Sequence, residues 1–337
     1  MNSIQGKDLG IGIIGYSVGK IHIHAWLDLH HYVYPPLAHP RLISICGRNE
    51  KLVRETSKQF GFKRYHTDWI NLIKDPEVQV VDICAPPNIH EDVCLEAIDR
   101  GKHILCEKPL ARNAKEAKNI LDAADRANIT HMTGYNFRFI PAIMLARKLI
   151  QEGYIGRIFH FRGNFLSVEL GEEGYVDPNA PLDSAYLMNK EIGGSGALHD
   201  LGTHVIDLAR FLVGEPKSVT AASETFIKER PISKGSEIKG KVDVDDATFA
   251  LLRFENGALG TLEASWMAPG RKSYHCFEVN GSLGSIKFNW ENINELEVYS
   301  TQDRRDLVGF RKVITTAATE HFLVTGFTAG ASTVEVV

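Results

Sequence analysis

Three side chains in this 337-residue sequence have the chemistry needed to move a proton and to stabilise charge on oxygen. Lys108 stands between Glu107 and Pro109 in the stretch LCEKPLA, and Asp200 precedes His204 by four residues in HDLGTHVIDLARF. Residues four apart on an α-helix share a face, so the carboxylate can orient the imidazole and tune its proton affinity. The pair is suited to general acid–base catalysis. Taken singly, a turn lysine and a helix pair are more often structural.

A second set of residues could hold the phosphates of a dinucleotide. The segment GIGIIGYSVGKIH contains a literal G-x-G-x-x-G match at Gly10, Gly12 and Gly15. The first two glycines lie before or within an apolar strand, whereas phosphates bind where a strand ends and a helix begins. We therefore predict that the useful loop is GYSVG, in which a serine stands where a second glycine would let phosphate approach. The predicted phosphate loop consists of Gly15, Tyr16, Ser17, Val18 and Gly19.

The residues after the second predicted strand bear on the choice between NAD and NADP. NAD sites place an acidic residue there for the ribose hydroxyls, whereas a basic residue can pair with the 2′-phosphate of NADP. The sequence reads CGRNE, so Arg48 offers a guanidinium suited to phosphate and Asn49 can hydrogen-bond a bare ribose. We predict an NAD(P) site that favours NADP because of Arg48. The structural alternative is a solvent-facing arginine at a helix start.

The elements that must position these residues change character along the chain. From residue 9 to about 134, wholly apolar runs alternate with helical patterns, as expected for a parallel sheet covered on both faces. Later runs such as ATFALLRF and ELEVYS alternate apolar and polar residues, which indicates an antiparallel sheet with one buried face. We predict an α/β Rossmann domain with a doubly wound parallel sheet over 1–135, followed by an α+β domain with an open, mainly antiparallel sheet over 136–337.

The individual elements follow from the same patterns. Strands of the first domain are predicted over 11–15, 42–46, 78–85, 103–107 and 129–134. Helices are predicted around 20–30, 50–60, 68–74, 90–100, 114–127, 141–152 and 196–213.

Composition and charge exclude several classes of partner. The net charge is −4 with no basic run interleaved with aromatics, so we predict no nucleic-acid partner. No apolar run approaches the roughly 18 residues that span a bilayer, and the start lacks a signal-peptide pattern, so we predict no membrane partner and a cytoplasmic location. Five scattered cysteines argue against a disulfide framework. His22, His24, His30 and His31 lack the spacing and partners of a metal set, so no metal is predicted.

Together, these motifs resemble the Gfo/Idh/MocA family of oxidoreductases along nearly the whole chain, most strongly its levoglucosan-dehydrogenase-like members. The matching order is the glycine-rich βα turn, DICAPPNIH, EKP and then DLGTH. Supporting stretches are GRNE, TDW, CEKPLARNAKEA, NFRFIPA, GSGAL, HVIDLARFLVGE and VDVDD. The resemblance implies hydride transfer between a nicotinamide cofactor and a hydroxyl-bearing carbon of a sugar, anhydrosugar or polyol.

The resemblance also implies roles for the matching positions. Lys108 matches the lysine that contacts the reacting hydroxyl, Asp200 the helix carboxylate, and His204 the histidine assigned as acid or base. The other matched residues are Pro86, Asn88, His90 and Glu107, expected near the cofactor, and Asn136 and Arg138, expected along the substrate cleft. In the family the substrate lies between the domains and the open sheet often forms the oligomer contact, so a homodimer or homotetramer is expected.

The sequence departs from the family pattern in places. Ser17 replaces a glycine, and the segment 167–191 lacks the tryptophans that similar members carry there. The tail from Thr315 onward does not resemble the usual final helix, so the chain is expected to be truncated or altered at this end. Two alternatives to a dehydrogenase stay open: a redox-neutral glycosidase that uses tightly held NAD, and a non-catalytic NAD(P)-binding regulator.

Overall fold

Two compact units make up the chain. The computed structural model describes residues 6–33, 36, 38–168, 176–184 and 186–315. The chain passes from the first unit to the second between Asn136 and Phe137. Nearly all of the tail predicted to be altered, from residue 316 onward, lies outside the described residues. No helix among those described has the length and apolar composition needed to cross a membrane.

The first unit contains a parallel sheet. Its strands are β1 (Lys7–Ile14), β2 (Ala38–Cys46), β3 (Arg64–His66), β4 (Val80–Ile83), β5 (His103–Cys106) and β6 (His131–Thr133). They are hydrogen-bonded in the order β3-β2-β1-β4-β5-β6. Because β1 pairs with both β2 and β4, the strand order reverses at β1. In such sheets ligands bind outside the carboxyl ends of the strands at this reversal.

Helices flank this sheet and follow its strands. They are α1 (Gly19–Tyr32), α2 (Glu50–Phe60), α3 (Trp69–Ile73), α4 (His90–Asp99) and α5 (Ala114–Ala127). Asn49, Asp68 and Asn113 cap α2, α3 and α5 by accepting backbone N–H groups, which replaces bonds that a helix start lacks. Buried apolar side chains from the strands and helices form two clusters, so the strands are apolar along most of their length.

The second unit contains a larger, mostly antiparallel sheet. Its strands are β7 (Ile158–Leu166), β8 (Pro216–Glu224), β11 (Ala247–Phe254), β12 (Leu259–Ser265), β13 (Tyr274–Gly281), β14 (Gly284–Asn289), β15 (Glu295–Ser300) and β16 (Arg311–Ile314). Their order is β16-β15-β14-β13-β7-β12-β11-β8, and the β7–β12 pair is parallel. A separate hairpin pairs β9 (Glu229–Pro231) with β10 (Lys239–Lys241).

Two helices, α6 (Pro141–Gln151) and α8 (Thr203–Leu212), pack on this sheet. The short α7 (Lys190–Gly193) comes earlier in the chain than α8, and a π-helix over Leu198–Gly202 leads directly into α8. A Cβ at Gly163 on β7 would lie 2.6 Å from Val205 Cγ1, so the missing side chain lets α8 approach the sheet closely. Leu208 and Leu212 of α8 are fully buried, and burying each contributes about 1.5–3 kcal/mol.

The predicted fold class is confirmed by both sheets, and most predicted elements coincide with observed ones within a few residues. The sheet of the second unit is mainly antiparallel, as predicted, and its β7–β12 pair is parallel. One detail differs. The helix predicted over 196–213 begins as a π-helix. The spacing of apolar residues in the sequence does not distinguish the wider turns of a short π-helix from those of an α-helix.

Candidate active site

The predicted phosphate loop lies between β1 and α1, where the strand order reverses. Gly10 and Gly12 lie inside β1, and their hydrogens leave room for neighbours: a Cβ at Gly10 would lie 1.8 Å from Glu77 O. They are therefore packing residues, as predicted. Gly15 instead has a φ of 106°, and its Cβ would lie 2.4 Å from Cys84 O. Only glycine fits this turn.

The start of α1 is open to an anion. Its N-cap residue is Val18, which has no side-chain acceptor for the first-turn N–H groups. Ser17 and Val18 are exposed, whereas Gly19 is buried against Ile13. Backbone N–H groups and the helix dipole at such a start favour phosphate. The ring of Tyr16 packs on Gly47, which follows β2. A Cβ at Gly47 would lie 2.3 Å from Tyr16 Cδ1, so a larger residue would displace the ring.

Arg48 follows β2 and is exposed, as a residue that contacts a ribose or its phosphate must be. Its neighbour Asn49 accepts the Leu52 N–H at 3.1 Å as the N-cap of α2. The oxygen of that amide is therefore engaged in capping the helix. The Arg48 guanidinium and the Asn49 amide nitrogen are both polar donors at this strand end.

The EKP loop follows β5 at the same edge of the sheet. The Lys108–Pro109 peptide bond is cis. Lys108 is half-buried. Glu107 is buried, and its Oε2 accepts the backbone N–H of Lys108 at 3.0 Å. The carboxyl ends of neighbouring parallel strands thus bring Lys108 and the phosphate loop to one side of the first unit.

The loop after β4 contains the other predicted cofactor residues. Asn88 is exposed and Pro86 half-buried, so both can meet a ligand. The His90 ring is fully buried: Nε2 lies 2.7 Å from Ala85 O, and Nδ1 lies 3.1 Å from Pro109 O. Burial lowers the pKa of His90. The imidazole therefore contacts both this loop and the EKP loop, and its expected place near the cofactor stays a prediction.

A buried charged cluster lies beside these loops. The His22 ring on α1 lies between the carboxylates of Asp82 on β4 and Glu107. Within the described residues, His22, Asp82 and Cys84 offer possible metal-ligand atoms within 4.8 Å of one another. The ring instead faces hydrogen-bonding partners on both sides, and burial raises the pKa of the Cys84 thiol well above its ordinary value. A protonated thiol is a poor metal ligand.

In the second unit, one carboxylate anchors the segment that carries Asp200 and His204. Asp245 accepts the backbone N–H groups of Gly196 and Leu198, each at 2.8 Å, and the Thr248 hydroxyl at 2.9 Å. A Cβ at Gly196 would lie 2.0 Å from Asp245 O. Gly196 therefore permits this close approach of the two backbones.

The predicted acid–base pair crosses the junction between the π-helix and α8. Asp200 lies in the π-helix and its Oδ2 accepts the Nε1–H of the buried Trp266 at 3.2 Å. His204 lies in the first turn of α8 and is buried. Its ring stacks on Phe137 with a centroid distance of 4.2 Å and an interplanar angle of 23°. Stacking on Phe137 limits the orientations open to the imidazole.

A second histidine, unnoticed in the sequence, lies near His204. The rings of His275 and His204 are 6.3 Å apart, and His275 stacks on Phe165 at 4.7 Å. Burial lowers the pKa of His275 to about 3, so this ring is neutral. A lone histidine in an alternating strand gives no signal that separates it from an ordinary core residue.

Arg138, expected along the substrate cleft, already has a partner. Its guanidinium makes a bidentate ion pair with Asp207, with Nε 2.7 Å from Oδ2, and lies over the Phe211 ring at 4.9 Å. Burial raises the pKa of the Asp207 carboxyl, and the arginine opposes that shift. These contacts connect the segment after β6 to α8, and the expected place of Arg138 along the substrate cleft stays a prediction. Asn136 is half-buried at the start of that segment, and its role stays a prediction.

Comparison with known proteins identifies the family. Residues 9–135 match the oxidoreductase family with an NAD-binding Rossmann fold, and residues 143–287 match the GFO/IDH/MocA C-terminal domain. Levoglucosan dehydrogenase from Pseudarthrobacter phenanthrenivorans is 43% identical over 321 residues, covering 92% of this chain and 80% of that protein.

Solved structures agree with this assignment. A levoglucosan dehydrogenase in complex with NADH and levoglucosan has a TM-score of 0.91 at 41% identity, with 98% of this chain and 88% of that chain covered. An NAD-binding oxidoreductase from Klebsiella pneumoniae has a TM-score of 0.89 at 33% identity, with 98% and 87% covered. The chain belongs to the Gfo/Idh/MocA family of oxidoreductases, as its motifs predicted.

Proposed function

We propose that this protein is a dehydrogenase that removes a hydride and a proton from a hydroxyl-bearing carbon of a sugar, anhydrosugar or polyol. The observation that supports it most is the placement of Lys108: a lysine on a loop held by Glu107 and His90, at the sheet edge where the phosphate loop lies. The similarity to levoglucosan dehydrogenases makes levoglucosan the first substrate to test.

The first unit fits a nicotinamide dinucleotide. The turn at Gly15 admits no side chain, and the α1 start has no side-chain cap, so both are suited to the pyrophosphate. Gly15, Tyr16, Ser17, Val18 and Gly19 would hold the phosphates, with Arg48, Pro86 and Asn88 along the rest of the molecule. When bound, the nicotinamide supplies the carbon that accepts the hydride.

The chain's own residues would handle the proton and the charge. Neutral His204 accepts the hydroxyl proton, and Asp200 favours the resulting imidazolium. The Lys108 ammonium stabilises negative charge as it develops on the substrate oxygen. Proton transfer by a positioned side chain contributes about 10² to 10⁴ in rate.

A substrate screen tests the function. Levoglucosan, inositols, polyols and aldoses are offered with NAD and with NADP while the absorbance of the reduced nicotinamide is followed. Net reduction of free cofactor by at least one sugar supports a dehydrogenase. Sugar cleavage without net reduction indicates the redox-neutral glycosidase, and ligand binding without either reaction indicates the regulator.

We further propose that the site prefers NADP, on the strength of Arg48 alone. Arg48→Asp is expected to weaken NADP binding relative to NAD by about tenfold or more, the equivalent of one charge-assisted hydrogen bond. Cofactor fluorescence titration measures both dissociation constants. Arg54→Asp, an exposed change on the outer part of α2, is the matched control. An NADP-to-NAD ratio that is the same in the parent and in Arg48→Asp contradicts the assignment.

The open face of the second sheet supports a homodimer or homotetramer. Large apolar side chains point outward from it, namely Leu251 at 64% exposure together with Phe249 and Leu259. Contiguous exposed apolar surface of this kind marks an interface in soluble proteins. We propose that this face joins two copies of the chain.

We also propose that the protein works in the cytoplasm. Its described cysteines are all free, as is usual in that reducing compartment.

Charge on that face is expected to separate the copies. Leu251→Asp combined with Phe249→Asp should give a particle near the chain mass of 37.5 kDa by light scattering, because an aspartate would lose its hydration in the interface. Val308→Asp, at an equally exposed apolar residue outside the strands, should leave the assembly intact. An unchanged mass in the double variant, or a parent of 37.5 kDa, excludes this face as the interface.

A further inference from the structure

A row of buried charged groups lies beneath the loop that carries Lys108, and the reaction proposed above does not use it. Asp82 is 0% exposed, His22 is 2% exposed and Glu107 is 9% exposed. The His22 Nδ1 lies 2.9 Å from Asp82 Oδ1, and its Nε2 lies 3.2 Å from Glu107 Oε1. One ring therefore joins α1, β4 and the end of β5 at the edge of the sheet where the cofactor residues lie.

The surroundings of this ring determine its charge. A neutral imidazole carries one N–H and would turn a lone pair toward one of the carboxylates, whereas an imidazolium donates to both. Burial is the largest single influence and lowers the pKa of His22, but Asp82, through its charge and its hydrogen bond, together with Cys84 more than offsets burial and raises this pKa far above its ordinary value. Trp26 Nε1 donates to Asp82 Oδ2 at 2.8 Å and holds that carboxylate in place.

Glu107 connects the buried charge to the lysine. Its Oε1 faces His22, and its Oε2 accepts the backbone N–H of Lys108 at 3.0 Å. Gly134 borders the same carboxylate: a Cβ there would lie 2.8 Å from Oε1 and would push the group aside. Both Glu107 oxygens are thus fixed, one by the buried ring and one by the amide of Lys108.

We propose that His22 and Asp82 are positioning residues, which hold Glu107 and, through it, the Lys108 backbone in the orientation that hydride transfer requires. The kinetic consequence rests on the proposed dehydrogenase function. The ordering of the Lys108 amide rests only on the contacts above. Asp82 acts without touching Glu107, because its charge keeps His22 protonated and able to donate on its other side.

Two variants and a control test this inference. His22→Gln leaves a single amide that cannot donate to both carboxylates, and Asp82→Asn removes the charge that keeps the ring protonated. Each is expected to lower kcat by about 10- to 100-fold, since small misplacements of a catalytic group cost that much, while the dissociation constant of NADH changes far less. His24→Gln makes the same change on an exposed ring of α1 and should match the parent.

Amide hydrogen exchange at Lys108, followed by NMR, is a readout independent of activity. It should be at least about tenfold faster in His22→Gln and in Asp82→Asn than in the parent or His24→Gln, because the accepting carboxylate is no longer held. Thermal unfolding shows which variants are folded, and Asp82→Asn, which conserves shape, carries the test if His22→Gln does not fold.

The proposal is overturned if the amide exchange rate of Lys108 in a folded variant equals that of the parent. It is also overturned if kcat falls only in proportion to the fraction of unfolded protein. If the parent oxidises no sugar, the proposed function fails separately, and the exchange rates still decide whether His22 and Asp82 order Lys108.

Discussion

Replacing His204 with Ala is expected to lower kcat for sugar oxidation by about two or more orders of magnitude, the usual contribution of a positioned general base. The imidazole is buried and stacked on Phe137, so its removal takes away the base without an obvious substitute in the same orientation. The dissociation constant for NAD(P)H should stay nearly constant, because the phosphate loop belongs to the first unit. Steady-state kinetics and cofactor fluorescence measure the two quantities.

His199→Ala is the matched control for that experiment. His199 lies in the π-helix beside Asp200, and its Nδ1 lies 2.9 Å from the Gly193 carbonyl, a local contact within the same segment. Its loss should reduce kcat far less than the loss of His204. Full activity in His204→Ala would show that His204 is not the general base. Lys108 would then be the candidate for accepting the proton.

The fold could be predicted because hydrophobic periodicity reports burial directly. Runs that are apolar throughout became the central parallel strands, and alternating runs became β11 to β15, each with one buried face. Strand β8 gave no such signal: nearly all of its residues are exposed, and its place is set by pairing with β11. Short β3 likewise depends on its neighbour β2.

The site was only partly predictable for a related reason. Position along the chain places Lys108 at the end of β5, but no sequence rule reveals that Arg138 pairs with Asp207, 69 residues away. Asp82 did give a usable signal: a carboxylate within the apolar run VVDICA must find a buried partner. That partner, His22, looked like one of several scattered histidines until the helix and strand were brought together.

Replacing Lys108 with Met is expected to lower the rate of hydride transfer by at least about two to three orders of magnitude, as when one donor to a developing oxyanion is removed. Methionine keeps much of the stem volume and loses the ammonium. The backbone contacts of the loop, from Lys108 N–H to Glu107 and from the Pro109 carbonyl to His90, do not involve the side chain. The fold and the cofactor affinity should therefore survive, and thermal unfolding and NADH titration check both.

Single-turnover reduction of bound cofactor in the parent and in Lys108→Met, across the candidate sugars, separates catalysis from sensing. Lys115→Met removes an exposed lysine from the first turn of α5, and its rate should equal that of the parent. If Lys108 meets the substrate oxygen, only its own variant loses hydride transfer, whereas in a sensor the change alters ligand affinity and no protein reduces the cofactor. Equal rates in the parent and in Lys108→Met would remove the lysine from the reaction, because an ammonium that stabilises the oxyanion cannot be dispensable for the step that forms it.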